Sequence, residues 1–225
     1  MTGVQTCALP IYVHVEGRLN EVSVSDVKGS LQLDGEFQES IKLERIAKSV
    51  TFKSSRTDME FSRITGSLDL DSDDLHAEEI TGPVHLTTRS KNIRLLGVSG
   101  DVRLQNDNGT VELGMRTVGN VQIDNRNGDI QLSLPDKAGF RLDARARDGE
   151  IQSDFSELKV NNDEHESRAT GSVGNAASHI VINNEHDGIE IRKASAAPPA
   201  PPVAPAKPAG KALPAPKDNV EPTEN

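Results

Sequence analysis

"VRLQNDNGTVEL" (residues 102–113) and "VQIDNRNGDIQL" (residues 121–132) are nearly the same phrase written twice, 19 residues apart. Each places an apolar frame, V-x-Φ before and V/I-x-L after, around an N-x-N-G centre. Working outward, the phrase proves to be part of a series. Val27-Lys28-Gly29 precedes "SLQL", Ile46-Ala47-Lys48 precedes "SVTF", and Ile64-Thr65-Gly66 precedes "SLDL". Ile80-Thr81-Gly82 then precedes "PVHL", Val98-Ser99-Gly100 precedes "DVRL", and Thr117-Val118-Gly119 precedes "NVQI". The steps between the third positions are 19, 18, 16, 18 and 19 residues. A fixed period of this length is the mark of a repeat architecture, in which each unit buries its apolar face against the next.

Within each unit two short segments alternate apolar and polar residues. The pairs are Leu31/Leu33 with Ile41/Leu43, Val50/Phe52 with Met59/Phe61, Val84/Leu86 with Ile93/Leu95, Val102/Leu104 with Val111/Leu113, and Val121/Ile123 with Ile130/Leu132. Residues 65–80 form a shorter unit, Leu68/Leu70 leading to Leu75 and Ala77. Period-2 alternation means strands with one buried and one wet face. An antiparallel sandwich with N-G and D-G hairpins would explain the turns. A β-solenoid explains more, because its coils require a constant step and stack like residues on like. The expected fold is therefore all-β: a single-domain β-solenoid, parallel β-helix-like, with coils of 16–19 residues. Asn108-Gly109, Asn127-Gly128, Asp148-Gly149 and Asp187-Gly188 become its corners. Some ten coils would give a rod on the order of 45–50 Å at the strand spacing.

The rhythm loosens after residue 133. Residues 132–155 read as one longer coil with Phe140, Leu142, Ala144 and Ile151 inward, and 161–179 as a polar loop or weak coil. "IVINNEHDGIEIRK" (180–193) restores the signature and is expected to close the stack, since a terminal coil must blunt its outer edge. The expected domain thus spans 13–193. From 194 to 225 Pro and Ala dominate, which predicts an extended, disordered tail. Its "APPAPP" has P-x-x-P spacing, and a tether is the preferred reading over a polyproline ligand. "MTGVQTCALPIY" (1–12) follows no rhythm found downstream and is expected to be a non-native leader.

Composition narrows the functional classes. Only 34% of residues are apolar and 3% aromatic, with no Trp, so the core must be built from aliphatic ranks. A formal charge of −10 argues against binding nucleic acid or an anionic membrane through excess Lys and Arg. The lone Cys7 allows no internal disulfide. No apolar run reaches the roughly 18 residues of a membrane-spanning helix.

Chemistry is sparse. In "LDLDSDDLHAEE" (69–79), Asp69, Asp71, Asp73 and Asp74 are a weak Ca²⁺ candidate, since carboxylate oxygens suit that ion. The run lacks the D-x-[DN]-x-[DN]-G frame, and a solvated face is the simpler reading. Asn106, Asn108, Asn125 and Asn127 fall in register and could line a groove for sugars, although corner amides that satisfy their own turn explain them as well. The histidines show no metal-ligand spacing, and no G-x-S-x-G, Walker or dinucleotide motif occurs. No cofactor is expected.

The repeated "ITGSLDLDS", "VSGDVRLQNDNGTVEL" and "VGNVQIDNRNGDIQLSLP" resemble the bacterial "putative-adhesin" family of β-strand-repeat proteins, a domain of unknown function. The resemblance covers about residues 13–192. It implies a β-solenoid in an exported or tethered cell-envelope protein and supplies no catalytic residue to carry over. The expected function is then non-enzymatic: an acidic, ridged surface binding a polysaccharide, peptidoglycan or another envelope protein. A carbohydrate-active β-helix enzyme is the alternative from another class, and it would need a cleft with paired carboxylates that these short coils do not build. A spacer holding the tail at a distance is the third.

Overall fold

The structure, a computed structural model, describes residues 12–194; Cys7, most of the suspected leader and nearly all of the Pro/Ala-rich stretch lie outside them. The described chain is all strand and turn. The strands are β1 (Tyr12–Val27), β2 (Ser30–Ile46), β3 (Val50–Lys53), β4 (Thr57–Leu70), β5 (Asp74–Glu78), β6 (Ile80–Thr88), β7 (Asn92–Asn108) and β8 (Val111–Asn127). They continue with β9 (Ile130–Pro135), β10 (Phe140–Arg147), β11 (Ile151–Ser153), β12 (Leu158–Asn162), β13 (Glu166–Val173), β14 (Ser178–Asn184) and β15 (Ile189–Ala194).

The opening echo is one coil lying on the next. In the parallel pairing of β7 with β8, Val102 faces Val121, Leu104 faces Ile123, Asn106 faces Asn125 and Asn108 faces Asn127. Each long strand bends from one hydrogen-bonded ladder into a second, so coils wind as a solenoid. The first ladder contains Val84, Val102 and Val121 in register; the second contains Ile93, Val111 and Ile130. Inward residues of both ladders merge into a single apolar cluster running from Val22 to Ile191. At the Asn-Gly corners Gly109 and Gly128 have φ of +116° and +107°, where a side chain would be strained. At the Asp-Gly corners the left-handed residue is instead the aspartate, Asp148 or Asp187.

Two regions depart from a simple coil. Val50/Phe52 and Met59/Phe61 are not opposite walls of one coil. They are neighbours in an antiparallel hairpin, with Val50 facing Phe61 and Lys53 facing Asp58. Leu68/Leu70 and Leu75/Ala77 form a second hairpin, between β4 and β5. Strand β4 therefore runs against all its neighbours, pairing antiparallel with β2, β3, β5 and β6. Local turn chemistry favours these reversals over corners. Ser54 Oγ accepts the Thr57 N–H at 3.0 Å, and Asp71 Oδ1 accepts the N–H groups of Asp73 and Asp74 at 2.9 and 2.7 Å.

The second departure overturns the expectation that 180–193 closes the stack. Strand β14 lies between β8 and β10, pairing Ile182 with Ile123 on one side and with Ala144 on the other. Strand β15 likewise sits between β9 and β11. The last coil in sequence is inserted into the stack. The inward pattern explains the choice: Ile180/Ile182/Asn184 repeats Val121/Ile123/Asn125, whereas β10 offers Phe140/Leu142/Ala144/Ala146. The expected polar loop at 161–179 is also replaced, by antiparallel strands β13 and β12 that cover the outer edge of β10. The adjoining edge of β11 is blunted by Asn162, whose side-chain amide accepts the Ile151 N–H at 3.1 Å and donates to its carbonyl at 3.2 Å.

A candidate ligand face

The inward side of the first ladder carries one polar row. Thr57, Thr88, Asn106, Asn125, Asn184 and Ser167 are all buried, and pairings align them strand by strand, with Ala146 interposed before Ser167. Asn106 and Asn125 are 2% and 4% exposed, so they cannot belong to a ligand-facing surface. Their amides instead hold the corners. Asn106 Nδ2 donates to the carbonyls of Lys91 and Asn108 at 3.1 and 3.0 Å. Asn125 Nδ2 donates to Gly109, Asn127 and Gly128 at 3.3, 3.2 and 2.8 Å. Asn184 repeats this on Gly128 and Asp187, both at 3.1 Å. The Oδ1 atoms of all three find no donor among the described residues.

Asn108 and Asn127 point outward from the same corners. Asn127 Nδ2 donates to Asn108 Oδ1 at 2.7 Å and to the Asp107 carbonyl at 3.2 Å, and Asn108 Nδ2 reaches the Arg89 carbonyl at 3.3 Å. These two keep a surface position, as a ridge whose amides are tied chiefly to the protein.

The acidic run occupies the β4–β5 hairpin. Asp69 lies outward opposite His76, and Asp74 Oδ1 accepts the Asn92 amide at 2.9 Å. The N–H groups of Asp74 and Asp73 hold the Asp71 carboxyl below the usual carboxylate range. Among the described residues no three His, Cys, Asp or Glu side chains converge where a metal ion would sit.

The outward side of the first ladder offers more. A shallow depression of about 300 Å³ crosses β6, β7, β8 and β14. Its central row is His85, Arg103, Gln122 and Val181, in register on four adjacent strands. Flanking groups are fixed by the fold. Asp101 Oδ1 accepts the Asn120 N–H at 2.7 Å, and Asn120 Oδ1 accepts the His179 N–H at 3.1 Å. Asp124 accepts the amides of Gln122 and Asn183 at 2.8 and 2.7 Å. The carboxylates here are thus occupied, while the Arg103 guanidinium and the imidazoles of His85 and His179 face the depression with no hydrogen bond or ion pair among the described residues. Free donors on neighbouring strands about 4.8 Å apart, His85 and Arg103, with His179 two strands further on, suit an extended polar ligand. Alternation places His85 outward on sequence grounds, but Arg103 gave no signal, because only the register brings it between the two histidines.

Residues 10–192 match the model of the family described as Toastrack DUF4097. A crystal structure of a "putative cell adhesion protein" from Clostridium sporogenes ATCC 15579 aligns over 83% of this chain and 94% of that one. Its TM-score is 0.39 at 10% identity, too low to carry an argument about function. No curated protein matches the chain.

Proposed function

The chain belongs to the Toastrack DUF4097 family, and from that premise we propose that it is a non-enzymatic binding module of the bacterial cell envelope. Its ligand is an extended polysaccharide, free or as peptidoglycan, laid across the outer face of the first ladder. One observation carries this reading: Arg103, His85 and His179 line the depression with no side-chain partner among the described residues, while Asp101 and Asn120 beside them are tied to backbone N–H groups. Repetition of the strand spacing lets many weak contacts add along a chain-like ligand. The same accounting favours binding over catalysis. The depression is lined by a single carboxylate, Asp101, already engaged with a backbone donor, and acid–base work on a glycosidic bond needs a pair. A glycan and peptidoglycan pull-down with the full chain and Arg103→Ala tests it. Retention that drops at least tenfold in the variant, with an unchanged melting temperature, supports the proposal. Equal retention of both proteins, or none of either, refutes it.

A further inference from the structure

The two hairpins that interrupt the solenoid leave an opening at its corner edge. Elsewhere a corner carries the backbone from one ladder to the other on this side. Here the turn at 54–56 folds back within the first ladder and the turn at 71–73 within the second. Between them lies a cavity of about 310 Å³, walled on the apolar side by Ile41, Phe52 and Leu70.

Its polar wall carries two cations, Lys91 and Arg56, and two carboxylates, Glu36 and Asp71. Lys91, only 8% exposed, lines the floor. Its ammonium donates to the carbonyls of Asp71 and Ser72 at 2.5 and 3.0 Å, which uses two of three N–H groups and sets no carboxylate against it within 4 Å. Arg56 stands at the rim, exposed, its guanidinium without hydrogen bond or ion pair among the described residues. The neighbouring carboxylates are spent on backbone donors. Glu36 accepts the Ser55 N–H at 3.1 Å, and Asp71 accepts those of Asp73 and Asp74. Burial pushes the Lys91 ammonium below its ordinary value, against the opposing pull of the nearby Asp71, Asp73 and Asp74 carboxylates.

We propose that this notch binds the oxyanion, carboxylate or phosphate, of a small polar ligand of about sugar size. The planar Arg56 fork suits either group in a bidentate contact, and the third Lys91 N–H supplies a buried donor. The site is separate from the outer face and does not depend on that face binding anything.

The test titrates the full chain by calorimetry with glucuronate, glucose 1-phosphate and glucose. Saturable binding of at least one anion, on the order of 1 mM, is expected for so small a ligand, with glucose at least tenfold weaker. Binding of one anion alone identifies the group recognised. Arg56→Gln should weaken that anion about tenfold with little change in melting temperature, since the exposed guanidinium makes no hydrogen bond or ion pair among the described residues. Arg103→Ala should leave it unchanged. Failure of both anions to bind, glucose binding as tightly, indifference to Arg56→Gln, or loss in Arg103→Ala would each overturn the proposal.

Discussion

Replacing Asn125 by Asp changes one buried NH₂ to oxygen and tests the polar row directly. The Asn125 amide has two hydrogens to share among the carbonyls of Gly109, Asn127 and Gly128, and only the 2.8 Å contact to Gly128 is short. Two such bonds contribute about 2 kcal/mol, and removing the donorless Oδ1 offsets part of their loss. Asn125→Ala should therefore cost about 1–2 kcal/mol. Asp is worse at neutral pH, because its carboxylate would face three carbonyl oxygens. It must fold protonated, with a pKa raised above that of the unfolded chain. A group so raised contributes its stability below the unfolded value near 3.9 and loses it as pH rises, at about 1.4 kcal/mol per pH unit. Over roughly 3 units to pH 7 the penalty grows to about 4 kcal/mol. Urea denaturation of wild type, Asn125→Ala and Asn125→Asp at pH 4 and pH 7 measures it. A wild type–Asp difference that stays flat between the two pH values, or an Asp variant no worse than Ala at pH 7, refutes the role assigned to the row.

Gly128→Ala should cost about 2–3 kcal/mol by chemical denaturation, because φ is +107° and a Cβ would lie 2.4 Å from the Gly109 carbonyl oxygen. Gly17→Ala, with positive φ but open space around it, should cost about 1 kcal/mol. Phe140→Ala removes a fully buried ring that meets Phe155 edge-on at 5.2 Å, and a loss of about 3–5 kcal/mol is expected. Truncation after residue 177 should not yield a rod one coil shorter. Strands β10 to β13 would lose the β14 ladder that joins them to β8, so hydrogen exchange should show protection lost throughout 140–173, while a terminal coil would take only itself.

The sequence by itself determined the ladders. A period of 16–19 residues, alternation within it and the N-G corners fix which residues face inward, because a one-residue slip would turn every side chain to the wrong face. The in-register Asn pairs were legible too, since strand alternation and a constant step suffice to stack Asn106 on Asn125 and Asn108 on Asn127. Parity does not say which of them are buried, because all four share the parity of Leu104 and Ile123 and only the bend at the corner turns Asn108 and Asn127 outward. Tertiary structure alone decided the order and direction of the coils. Alternation reads the same up or down a strand, so Met59 and Phe61 fit a hairpin as well as a coil. Only the Ser54 and Asp71 turns and the neighbours on both sides select the reversal. Nor does chain order set stacking order when the connection is long. The partner of β8 was settled by the inward Asn184, which needs the Gly128 carbonyl that Ala146 in β10 has no means to use. The notch follows from those same reversals, because Arg56 and Lys91, 35 positions apart in sequence, meet only where two hairpins replace a corner.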